Sequence, residues 1–183
     1  MPESLLNIDF AGAAKLIETS AKLVKLFTES IRDALKAGLE SVDIIEARRA
    51  ESRLKKMHLR ATHLVRQQGI MLLPTAEKYL ELPTSDNWDE VRRQMEETLK
   101  LVEPLAKDLF HEKSDFILEE TYNSLISAMK KREVALRQVL NIASPPTSKE
   151  EIDAFRKFIG NYVVLLRELQ QLDFALTSYV RNK

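Results

Sequence analysis

DFAGAAKLIETSAKLVKLFTESIRDALKAG, residues 9–38, decides the fold class. Phe10, Ile17, Val24 and Ile31 recur every seven positions, and Ala13, Phe27 and Ala34 fill the other half of the repeat. A three-four alternation is what successive turns of an α-helix present on one face, whereas a strand would repeat every two residues. The spacing predicts one helix over residues 9–37. Asp9 is its expected N-cap, because a short carboxylate can accept from an orphan amide of the first turn, and Gly38 stands where a C′ glycine ends a helix.

The same alternation extends outward along the chain. Ala47, Ala50, Leu54, Met57, Ala61, Leu64 and Met71 predict a second helix from about Ser41 to Leu73, stopped or kinked by Pro74, with two further turns over Thr75 to Leu82. Asn87 with Glu90 reads as a capping pair for a third helix carrying Trp88, Val91, Met95, Val102, Leu105 and Leu109, bent where Pro104 removes a backbone bond. Ser114 is the expected cap of a fourth, with the stripe Leu118, Tyr122, Leu125, Met129, Leu136 and Val139.

Ser144, Pro145, Pro146, Thr147 and Ser148 form the clearest break, since two prolines forbid helix continuation. Ser148 and Glu151 then make a capping box for a last helix to about Val180. That helix carries Ile152, Phe155, Ile159, Tyr162, Leu166, Leu169, Leu176 and Val180 on one stripe, and Phe158, Leu165, Leu172 and Tyr179 on a second. The expected fold is therefore all-α: an antiparallel bundle of about five long amphipathic helices in one domain, with left-handed, coiled-coil-like packing because the period lies near 3.5.

Composition narrows the function classes. Lys plus Arg and Asp plus Glu both total 28, so no overall charge draws the 183-residue chain to nucleic acid or an anionic membrane. Cys is absent, which removes disulfides, thiolate ligands and Cys nucleophiles. Met1 to Asn7 holds Glu3 and no Lys or Arg, so no export signal is expected, and no apolar run approaches the ~18 residues of a membrane span. A cytoplasmic location is the resulting expectation.

Candidate chemical sites are few. His58 and His63 are five apart and do not share a helix face, and the pairing of His111 with Asp108 lacks the Glu-x-x-His pattern of di-metal bundles, so no metal site is expected. Adjacent acids such as Glu96 with Glu97 and Glu119 with Glu120 point about 100° apart, as a solvated helix face does. No phosphate loop, nucleophile elbow or zinc-protease motif occurs, so no cofactor and no catalytic residue is expected.

Two surfaces stand out instead. Arg48, Arg49, Arg53, Lys55, Lys56, Arg60 and Arg66 fall opposite the apolar stripe of the second helix, a ridge that suits phosphates but carries no aromatic side chain for base stacking. An acid-rich segment, Asp86 to Glu120, can balance it within the same bundle. The second stripe of the last helix, Phe158, Leu165, Leu172 and Tyr179, needs a neighbour of its own, and another molecule is the preferred one.

The leading expectation is accordingly a non-enzymatic interaction module, an adaptor, immunity-type or regulatory subunit that binds another protein or a second copy of itself. One rival is a membrane-acting bundle that releases the first helix, with Phe10, Leu16, Leu23 and Phe27 beside Lys15, Lys22, Lys25 and Arg32. The other is a nucleic-acid-associated bundle using the basic ridge. One polar position also sits on an apolar stripe: Asp173, between Leu169 and Leu176, where an unpaired carboxylate would be costly.

Overall fold

A computed structural model describes residues 9–37, 71–111, 119–142 and 144–181 of the chain. The described residues hold five helical segments and no strand. They are α1 (Phe10–Ala37), α2 (residues 71–81), α3 (Ser85–His111), α4 (Glu119–Asn141) and α5 (Lys149–Arg181).

Local chemistry sets the helix ends. Asp9 Oδ1 accepts from the Gly12 amide at 2.9 Å, so the expected cap of α1 is in place. Ser148 and Glu151 exchange both bonds of a capping box at the start of α5: Glu151 N donates to Ser148 Oγ at 3.1 Å, and Ser148 N donates to Glu151 Oε1 at 3.3 Å. At α3 the expected cap is corrected. Thr84, not Asn87, takes that position: its Oγ1 accepts from the Asn87 amide at 3.2 Å and its carbonyl from the Trp88 amide at 3.0 Å. Asn87 turns its Nδ2 back to the Leu82 carbonyl at 2.8 Å and so closes the turn between α2 and α3.

The prolines act less sharply than their type suggests. Pro74 lies within α2 and Pro104 within α3, and the helical ranges run past both although each removes a backbone donor. Thr75 Oγ1 supplies a bond in the same turn of α2, donating to the Met71 carbonyl at 2.7 Å. Pro145 and Pro146 do end α4, as expected.

An aromatic cluster fixes the directions. Phe10 at the start of α1 meets Trp88 at the start of α3 and Phe155 near the start of α5, edge to face at 6.0 and 5.7 Å. Tyr79, near the end of α2, joins Trp88 at 5.1 Å and donates its hydroxyl to the Pro146 carbonyl, just past α4, at 2.7 Å. Hence α1, α3 and α5 leave this end and α2 and α4 arrive at it. Sequence neighbours are antiparallel, and α1 and α5, first and last, run parallel. Asn161 Nδ2 on the Ala14 carbonyl at 2.9 Å and Arg32 Nη2 on Gln171 Oε1 at 2.8 Å tie that parallel pair at two levels.

The heptad positions form the core. Phe10, Ala13, Ile17, Val24 and Phe27 of α1 are buried against α5 on one side and α4 on the other, and α4 in turn packs on α3. One hydrophobic cluster draws residues from all five segments. Each fully buried Leu, Ile or Phe in it contributes roughly 1.5–3 kcal/mol relative to exposure.

Candidate functional site

The stripe expected to face another molecule lies inside the chain. Phe158, Leu165 and Leu172 are each 0% exposed, so the assignment of this face to a partner is corrected. The physical reason is that the two stripes of α5 are one seam: Phe155, Phe158, Tyr162, Leu165, Leu169 and Leu172 alternate three and four apart and are all buried. The tight α1–α5 pairing within the monomer supplies the neighbour that the second stripe requires. Of Tyr179 only the backbone is described, and the ridge of Arg48, Arg49, Arg53, Lys55, Lys56 and Arg60 lies outside the described residues, as do His58 and His63.

Phe10 and Phe27 are buried, and Leu16 and Leu23 pack against the core, so insertion of α1 in lipid would require it to leave the bundle. Among the described residues no helix is long and apolar enough to cross a membrane, and no cluster of His, Asp and Glu is arranged to hold a metal ion. Asp173 is half-buried and engaged, not stranded on its stripe.

What α1 and α5 leave outside is a groove along their seam. It has a volume of about 320 Å³ and is lined by Glu18, Ala21, Lys22, Lys25, Asn161, Val164 and Glu168. Ala21 and Val164 give it apolar walls, and Val164 stays 44% exposed there. Leu26, one turn beyond Lys22 on α1, is 52% exposed, and Phe174, further along α5, is 56% exposed. Of these three exposed apolar side chains only Val164 lines the groove; Leu26 and Phe174 stand elsewhere on α1 and α5.

The groove is also electrically asymmetric. Lys22 Nζ lies 3.1 Å from Glu18 Oε1, and this hydrogen bond holds the Glu18 carboxyl below the usual carboxylate range, with Lys157 and Lys15 adding to the effect. Lys22 and Lys25 balance Glu18 and Glu168 in the lining itself, and Lys15 and Lys157 add positive charge near Glu18.

A second polar feature was not anticipated. Arg132 is 1% exposed on the inner face of α4, beside Tyr162 of α5, which is fully buried. The seven-residue step from Leu125 reaches Arg132, so its core position was readable; the apolar stripe simply passes over it from Met129 to Leu136.

Comparison with protein-family models, with curated proteins and with solved structures gives no match. The functional reading therefore rests on the geometry.

Proposed function

We propose that the chain is a non-enzymatic interaction module whose α1–α5 groove receives an acidic, amphipathic helix of a partner protein. The observation that carries this reading is the groove between α1 and α5, with Ala21 and the 44% exposed Val164 in its wall and Lys15, Lys22 and Lys157 around Glu18 at its side. Apolar side chains at three-four spacing on a partner helix would cover Val164 and its neighbours, and acids on its flank would meet Lys15, Lys22, Lys25 and Lys157. Burial supplies the affinity, and the charges set orientation and encounter rate. A coiled-coil-like mode of packing and a cytoplasmic setting accord with this role.

A photoreactive amino acid placed at Val164 tests the reading in cells. The expected product joins Val164 to a segment of another protein with apolar residues every three or four positions and an excess of Asp and Glu. A product with a second copy of this chain, with lipid or with nucleic acid contradicts it, as does the absence of any product.

A further inference from the structure

Arg132 poses a problem that the rest of the core does not. Ser20, Thr28 and Thr98 are also buried, and each donates its hydroxyl to a backbone carbonyl. Arg132 has five N–H donors and a charge that it cannot shed by losing a proton. Among the described residues its single hydrogen bond runs from Nη2 to the Met129 sulfur at 3.1 Å, and thioether sulfur is a weak acceptor. Nε and Nη1 have no hydrogen bond of ordinary length, and the buried hydroxyl of Tyr162, whose oxygen faces the guanidinium, donates its own proton to no acceptor among the described residues. Two donors of one charged guanidinium and a phenolic hydroxyl thus converge where no carboxylate among the described residues pairs with them.

We infer that Arg132 and Tyr162 form an internal receptor for one small oxyanion, a carboxylate or a phosphate, supplied from outside the chain. A guanidinium presents its donors as a planar fork that matches two oxygens of such a group, and a phenolic hydroxyl beside it adds another donor. A neutral ligand would satisfy the hydrogen bonds but leave the charge uncompensated in an apolar surround. Met129 is the flexible element: its unbranched side chain can rotate off Nη2 and open the Nε and Nη2 edge of the fork. The inference is independent of the groove, because Arg132 lies on the core face of α4 and the groove lies on the outer seam of α1 and α5.

The test uses the whole chain with inorganic phosphate and with acetate, each at millimolar concentration against sodium chloride of equal ionic strength. Thermal midpoints and the Nε–H resonance of Arg132 are followed. The expected result is a saturable rise of the midpoint and a saturable movement of that resonance with at least one of the two anions. The anion that saturates at the lower concentration identifies the source. Tyr162→Phe should need at least fivefold more anion, Arg132→Met should not respond, and Arg156→Gln, an exposed control, should respond like the wild type. A general salting effect would raise all variants alike. Absence of saturation with both anions, or an equal response in Arg132→Met, overturns the inference. Where Arg132→Met does not fold, an Arg132 resonance unmoved in the wild-type chain overturns it by itself.

Discussion

Ser20 Oγ donates a 2.8 Å hydrogen bond to the carbonyl oxygen of Ala128, joining α1 to α4 where both residues are fully buried. The bond requires a small hydroxyl on one helix and alanine on the other, because any larger pair would hold the backbones apart. Ser20→Ala should lower stability by about 1 kcal/mol, the usual net worth of such a bond. Ser20→Leu should cost more, through overpacking of about 1–3 kcal/mol. Urea unfolding of the two variants checks the order, and an equal or smaller loss for leucine would show a looser contact than described.

Leu165 and Leu172 belong to the α1–α5 seam and are 0% exposed. Each change to alanine should cost about 2–5 kcal/mol, so the double variant approaches the whole stability of an ordinary domain. Sedimentation should show no change in association for the single variants. Loss of a dimer at an unaltered thermal midpoint would return these residues to an intermolecular role.

Gly160 lies in the interior of α5, exposed, and a Cβ added there meets nothing within 4 Å. A glycine in such a place gives up backbone entropy without any close approach in return. Gly160→Ala should therefore raise stability by roughly 0.5–1 kcal/mol, read as a higher urea midpoint with unchanged slope. A loss would mean that another molecule approaches this point of α5.

These contrasts show what was legible in the residues. Caps with one available partner, Asp9 on Gly12 and Ser148 with Glu151, were readable because the spacing of three leaves no alternative. At Thr84 and Asn87 two cap formers stood three apart, and only the structure shows that the first caps and the second closes the turn. On α5 the periodicity was read correctly as apolar over a wide face, but a sequence does not state which neighbour covers it. The parallel pairing with α1 depends on residues far away in the chain. The groove escaped for a related reason: Val164 is an apolar residue off the core repeat, and only the seam brings it beside Ala21, Lys22 and Lys25 of α1.

Burial pushes the Tyr162 hydroxyl above its ordinary value of 10.0, partly opposed by Arg132, and burial with Glu151 nearby does the same for Tyr79. The fold thus favours the neutral phenols. Their contribution is complete below about pH 10, where the unfolded tyrosines are still protonated, and is lost as pH rises beyond it because the unfolded state then releases protons more readily. Stability should fall as pH rises above about 10, and Tyr79→Phe with Tyr162→Phe should flatten that fall. Urea midpoints across this range make the comparison, and an equal slope in the double variant would assign the effect to other groups.

Binding of an acidic helix in the α1–α5 groove makes cross-linking at Val164 depend on the groove lysines. Lys22→Glu with Lys25→Glu reverses two charges in the groove lining and, among the described residues, breaks one exposed ion pair, Lys22 with Glu18, a contact of little weight for stability. The account predicts that this double variant keeps its thermal midpoint within a few degrees and loses at least tenfold in yield of the cross-link to its acidic partner helix. An undiminished yield, or a product formed only between two copies of this chain, would contradict it.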